Sequence, residues 1–189
     1  MLRAAAVLVA LLSINTGGAN KGVMNGKATF ATLKCANPRL PPEILMGANG
    51  AVSQDVSAMP LPLVTAAGAA TPLTLAVAAD DRSRELGLMC VTALKPGAGM
   101  IFVFPSDAEW EFWMKNTVTP LDILWVAPDG TVRDVAADVP AAMLDTPDDK
   151  VARRRGQGRY VIELRSGDAS RERITVGTRL QLPSLQTTE

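Results

Sequence analysis

Residues Glu111–Val126 read EFWMKNTVTPLDILWV. This stretch holds two of the chain's three tryptophans together with a lysine, an asparagine and an aspartate. A polar side chain among large apolar ones needs a partner or a solvated cleft, because burying it unpaired costs roughly 1–3 kcal/mol or more. Read as a strand, EFWMKNT alternates its side chains between two faces. Glu111, Trp113, Lys115 and Thr117 then share one face, and Phe112, Met114 and Asn116 share the other. Pro120 interrupts this strand and LDILWVA resumes as the next. A strand, a proline turn and a returning strand bring the two ends of KNTVTPLD together.

Outward from this centre the same β character continues. LTLAVA at Leu73–Ala78, GMIFVFP at Gly99–Pro105 and YVIEL at Tyr160–Leu164 are rich in β-formers. Asp80 or Asp81 is placed to N-cap a short helix, DRSRELGLMCV, with Leu86, Met89 and Cys90 at helical spacing. SDAEW reads as a loop, and Asp129-Gly130 as a two-residue hairpin turn into TVRDVAADV. Residues 140–158, with Pro140, Pro147, three arginines and two glycines, read as a long exposed loop. DASRERI makes a helical turn, and GTRLQL at Gly177–Leu182 reads as the last strand. The expected fold class is α+β, mainly β: a single compact antiparallel or mixed β domain with one or two short helices, over residues 70–184 with a tail at 185–189.

Composition excludes more than it selects. There is no histidine in the 189 residues, so imidazole bases, Ser-His-Asp and Cys-His nucleophiles and His-ligated metal sites are all ruled out. Two cysteines without histidine give no ordinary zinc site, and no metal or cofactor is expected. The 19 basic and 19 acidic side chains balance, leaving no basic field to draw nucleic acid or anionic lipid.

The N-terminus has Arg3, an apolar run from Ala4 to Ile14, and small residues at Gly17 and Ala19. That is a secretory signal pattern over residues 1–19, with a run too short to span a bilayer. The expectation is export to the periplasm or beyond, with no membrane span in the mature chain. A start at Met24 is the competing reading. Residues 20–69, broken by Pro38, Pro41, Pro42, Pro60 and Pro62, read as a flexible spacer with at most a short strand near Leu61–Val64. Cys35 and Cys90 are the only thiols, and their spacing leaves open whether they form a disulfide.

GLM at Gly87–Met89, GMIFVF at Gly99–Phe104, FWMKNT, PLDILWV, the DG hairpin, VIEL and a terminal Gly-Thr-Arg follow one another in an order that resembles the bacterial and archaeal family called domain of unknown function number 192. The resemblance implies a small mainly-β domain, often exported, and brings no established activity with it. Two departures stand out. The family usually continues GLM with an aromatic and an arginine, whereas Cys90 and Val91 follow here. Arg153–Arg155 and Gly156–Gly158 occupy a place where a shorter proline-bearing loop is usual.

The candidate site residues are Trp113, Lys115, Asn116, Thr117, Asp122, Met89 and Glu163. Lys115 beside Trp113 suits a carboxylate, a phosphate or a sugar hydroxyl; the plainer alternative is an ion pair with Asp122 across the turn. Asn116 and Thr117 either line the mouth of a pocket or satisfy turn backbone. Asp122 enters an apolar strand and needs a strong partner. Glu163, inside VIEL, either faces solvent or meets Lys115. Trp110, Trp113 and Trp125 offer a platform for a sugar ring, though tryptophan is more often core. Met89, Met100 and Met114 with Cys90 form a soft set able to hold cuprous ion, though methionine mostly fills cores. The leading expectation is an exported ligand-binding or accessory domain with a polar–aromatic cleft for an anionic or carbohydrate-like small molecule. The alternatives are a hydrolase or lyase using Lys115 and a carboxylate, Asp122 or Glu163, for proton transfer, and a protein-interaction module.

Overall fold

GMIFVF and YVIEL carry apolar residues on both faces, a pattern that places a strand inside a sheet rather than at its edge. In the computed structural model, which describes residues 40–47 and 59–188, they become neighbouring inner strands. The strands are β1 (Leu63–Ala66), β2 (Leu73–Ala78), β3 (Ala98–Trp113), β4 (Leu121–Val126), β5 (Val132–Val139) and β6 (Arg153–Arg165). They form one sheet of order β1-β2-β3-β6-β4-β5. Only β2 and β3 pair in parallel; the other neighbours are antiparallel. Helix α1 (Asp81–Leu86) follows β2, and α2 (Asp168–Arg171) follows β6. The fold is therefore α+β and mainly β, a mixed sheet with two short helices.

Each face of the sheet carries its own apolar layer. On one, Leu73, Leu75, Ile101, Val103, Leu124, Ile162 and Leu164 lie beneath Ala169, Ile174 and Leu180. On the other, Met100, Phe102, Phe104, Leu121, Ile123, Trp125 and Val161 lie beneath Leu88, Val91 and Leu94 of the loop after α1.

The strand expectations change at three places. The 99–105 and 111–117 segments are not separate strands: β3 runs through SDAEW with an irregularity between Val103 and Ala108. Phe104–Asp107 face only Arg159 there, since Val103 pairs with Tyr160 and Ala108 with Gly158. Four residues opposite one bend the strand sharply. The bend stacks Trp110 on Phe104 at 4.0 Å, and the Trp110 indole donates to the Gly158 carbonyl at 2.9 Å. Part of the expected 140–158 loop is strand, because residues 153–158 pair with the far half of β3. Gly156 permits this: a Cβ there would lie 2.5 Å from the Trp125 ring. The expected strand at residues 177–182 makes only single bridges, Arg179 with Thr131 and Gln181 with Ala67.

Helix α1 begins at the Asp80 cap, whose carboxylate accepts from the Ser83 amide at 2.8 Å. It stops at Gly87 (φ +48°), so the GLM residues form a turn instead of continuing the helix. A hairpin at Asp129-Gly130 joins β4 to β5 as expected, but its loop has three residues, 128–130, and not two: the Ala127 amide donates to the Thr131 carbonyl at 2.8 Å.

The spacer reading does not hold for the described residues 40–47. Leu40, Ile44 and Leu45 are buried in the core, and Leu45 bridges Leu94. Apolar side chains in a proline-rich stretch found a surface to cover. The signal stretch and Cys35 lie outside the described residues.

Candidate functional site

The KNT segment leaves the sheet before the polar residues arrive. β3 ends at Trp113, and Lys115 and Asn116 occupy a turn in which Asn116 has φ +55°. Strand alternation therefore does not govern Lys115. Its ammonium pairs with Asp148 and reaches the Thr146 carbonyl at 3.5 Å. Trp113 is covered by Arg153, whose guanidinium carbon lies 4.7 Å from the ring centroid. Arg153 and Arg155 both bind Glu111, and these hydrogen bonds, Arg155 foremost, hold the Glu111 pKa below the usual carboxylate range.

Asp122 does not meet Lys115. It is buried, accepts from the Asp138 amide at 2.8 Å and from the Ala169 amide at 2.9 Å, and so ties β4 to β5 and to α2. Asp168, also buried, accepts from the Gly97 amide at 2.8 Å and from Arg165 and Arg171. Glu172 accepts from the Thr71 amide and hydroxyl and from Arg171; the Thr71 hydroxyl bond leads in lowering its pKa. This acidic network at the end of the sheet was not among the expected residues, and its signal in DASRERI was only alternating charge. Every carboxylate in it is satisfied, so it serves structure. Thr117 is likewise structural: its amide donates to the Met114 carbonyl and its own carbonyl accepts from the Ala142 amide.

Two of the expected residues do meet. The Asn116 side-chain amide lies 4.0 Å from the Met89 sulfur, and the Asn116 carbonyl accepts from the Cys90 amide at 2.8 Å. The GLM turn is thereby docked on the KNT turn. Cys90 is disulfide-bonded, which removes it from a soft metal set with Met89, Met100 and Met114.

Glu163 is different from every other acid here. It lies on inner strand β6, paired with Met100 on β3 and Ile123 on β4, on the face buried under the GLM turn. It is 6% exposed, and among the described residues no hydrogen bond or charge acts on its carboxyl. It is buried rather than facing solvent, as one expectation had it, and it does not meet Lys115, as the other did, since Lys115 pairs with Asp148. Gly87 lies over it: a Cβ built on Gly87 would fall 3.3 Å from Phe102 Cζ and 4.0 Å from Glu163 Oε2. Burial raises the Glu163 pKa from 4.5 to about 8, with no neighbouring charge or hydrogen bond opposing it. At neutral pH the group is mostly a carboxylic acid, able to donate one hydrogen bond and accept another.

Two surface depressions lie away from these residues. One, of about 470 Å³, is lined by Asp80, Asp81, Arg82, Arg84 and Pro105 with Thr187 and Thr188; the other, of about 450 Å³, by Asp107, Asp129 and Arg133 among others. The polar–aromatic cleft expected around Trp113, Lys115, Asn116 and Asp122 is not formed, because their side chains are engaged by separate partners.

Comparison with known proteins places this architecture. Residues 63–182 match the model of the DUF192 family, described as "Uncharacterized ACR". A crystal structure of a proposed transcription regulator from Sinorhizobium meliloti is 34% identical, over 59% of this chain and 83% of that one, with a TM-score of 0.53. A protein of unknown function from Novosphingobium aromaticivorans is 30% identical, over 72% of this chain and 97% of that one, also with a TM-score of 0.53. No curated protein matches. With the family model spanning 63–182 and a solved homologue 30% identical over nearly its whole length, the chain belongs to the DUF192 family.

Proposed function

We propose that this domain binds a small molecule through the Glu163 carboxyl, beneath the turn that begins at Gly87. The observation that carries the reading is the missing partner. Asp122, Asp168 and Glu172 each accept at least two hydrogen bonds, while Glu163, as deeply placed in an inner strand, accepts none. A carboxyl on an inner strand that no protein hydrogen bond or charge holds is a candidate for holding a ligand. A protonated carboxyl suits the hydroxyls of a carbohydrate-like ligand or the carboxylate of a small acid, whose own charge it does not repel.

The proton-transfer alternative built on Lys115 has no support, since Lys115 is paired with Asp148 and Glu163 stands apart from it. A regulator role like that in the name of the Sinorhizobium meliloti protein finds little support here: α1 and α2 have six and four residues, too short to read a DNA groove, and the formal net charge is zero. Export of the mature chain belongs to the same proposal. The signal pattern at residues 1–19 and the Cys90 disulfide both favour an oxidising compartment. No helix among the described residues is long and apolar enough to cross a membrane.

The test is a thermal-shift screen of sugars and small carboxylic acids against the wild type and Glu163→Gln. A compound that stabilises the wild type and binds the Glu163→Gln variant at least roughly tenfold more weakly supports the reading, tenfold being about 1.4 kcal/mol. Equal affinity for both proteins, or no stabilising compound in either class, would sink it.

A further inference from the structure

The groups around Glu163 decide what charge a ligand can carry there. Its cross-strand neighbours on the same face are Met100 and Ile123, both wholly buried. A Cβ on Gly87 would fall 4.0 Å from Glu163 Oε2 and 3.3 Å from Phe102 Cζ, so the turn backbone and the Phe102 ring are the groups beside the carboxyl. Phe112 meets Phe102 edge to face, with 4.9 Å between ring centroids, and Leu88 is buried in the same apolar layer.

The basic side chains of the neighbouring elements are committed elsewhere. Arg84 of α1 donates to the Ala79 and Val103 carbonyls and pairs with Asp81. Lys95, in the loop after GLM, donates to the Pro42 carbonyl at 3.0 Å. Lys115 pairs with Asp148, and Arg165, further along β6, with Asp168. Among the described residues no counter-ion acts on the Glu163 carboxyl.

Resting on the Glu163 reading, we infer that this site takes an uncharged hydroxylated ring, a neutral sugar or cyclic polyol, and discriminates against the acid and amine forms of the same ring. An anionic ligand would share the Glu163 proton but keep its negative charge in an apolar layer, with no cation to offset the lost water. An ammonium would ionise Glu163, and both members of the pair would give up water. Their attraction repays that loss only where further hydrogen bonds complete the pair. Hydroxyls carry neither cost. The carboxylic acid donates its O–H to one ring hydroxyl and accepts the proton of the next, so the polar groups are met without moving a charge. The C–H surface of the ring suits the apolar side chains around them.

The experiment is calorimetric titration of the full chain with glucose, glucuronate and glucosamine, and with the corresponding galactose set. It is run at about pH 6, where the acids are ionised and the amines protonated, so that each set varies charge on one ring shape. A neutral sugar should bind the wild type roughly tenfold or more tightly than either of its charged partners, and Glu163→Gln should weaken that binding. The ranking by charge is read on the wild type and does not depend on the variant; a melting curve checks that Glu163→Gln is folded. A charged member that binds as tightly as its neutral partner, and is weakened by Glu163→Gln, overturns the inference and leaves the Glu163 site standing. Binding of equal strength to wild type and folded Glu163→Gln overturns the site and the inference together. No binding by any member of either set overturns the inference.

Discussion

Asp122 and Glu163 sit on adjacent strands, Ile123 being the direct partner of Glu163, yet their side chains point to opposite faces and meet opposite fates. Asp122 finds two backbone amides; Glu163 finds none. Replacing Asp122 by Asn sets an amide N–H₂ against one of those donors, and should cost about 3 kcal/mol in urea unfolding. Lys115→Ala should cost under about 1 kcal/mol, because its partner Asp148 is largely exposed and screened. Glu163 predicts a pH dependence. The unfolded chain releases this proton near pH 4.5, whereas the folded chain keeps it to about pH 8. Stability contributed by the buried acid is complete below pH 4.5 and is lost as pH rises to 8, at about 1.4 kcal/mol per pH unit. Urea midpoints measured from pH 5 to 8 should fall in the wild type and stay nearly level in Glu163→Gln. A level wild-type profile would remove the carboxyl from its buried setting.

Among the elements, β3 decides the shape of the site. Its first half lies within the sheet and its second half, after the bend, pairs only with residues 153–158 of β6 and packs back over Trp125. The Trp125 indole donates to the Trp110 carbonyl at 3.2 Å, and Gly156 meets the Trp125 ring with no side chain between them. Gly156→Ala should force these layers apart, costing about 3 kcal/mol in denaturant unfolding. The indole emission should move to longer wavelength as Trp110 and Trp125 are wetted. Unchanged stability and emission would mean the ribbon is not seated on Trp125.

At the scale of the molecule, residues 40–47 join the matched domain as part of its core. Ile44→Ala should cost about 3 kcal/mol, since a wholly buried isoleucine loses its contacts with no easy collapse of the site. A chain beginning at Leu63 should melt lower still, having lost Leu40 and Leu45 as well. Equal melting of the shortened and full chains would show that residues 40–47 add nothing. If the signal pattern is used, mass spectrometry of protein from the periplasm or medium should find a mature N-terminus at Asn20; soluble protein retaining Met1 would refute it.

The sequence by itself determined the local elements. Alternation and β-branched runs located β2, β4 and the core of β3 and β6, Asp80 marked the start of α1, and Asp129-Gly130 marked the hairpin. These depend on neighbours a few residues apart, which the chain order displays. The same local reading named Glu163, Asp122, Met89 and Asn116 as residues of interest without telling which would meet. Tertiary structure alone decided that Lys115 pairs with Asp148, that Asp122 serves the backbone of β5 and α2, and that Arg153–Gly158 is strand. It alone brought residues 40–47 onto the loop beyond GLM and left Glu163 without a partner. Each of these outcomes depends on the register of strands distant in sequence and on which face a bend turns inward. A one-residue slip would exchange every buried side chain for an exposed one, and no local pattern records it.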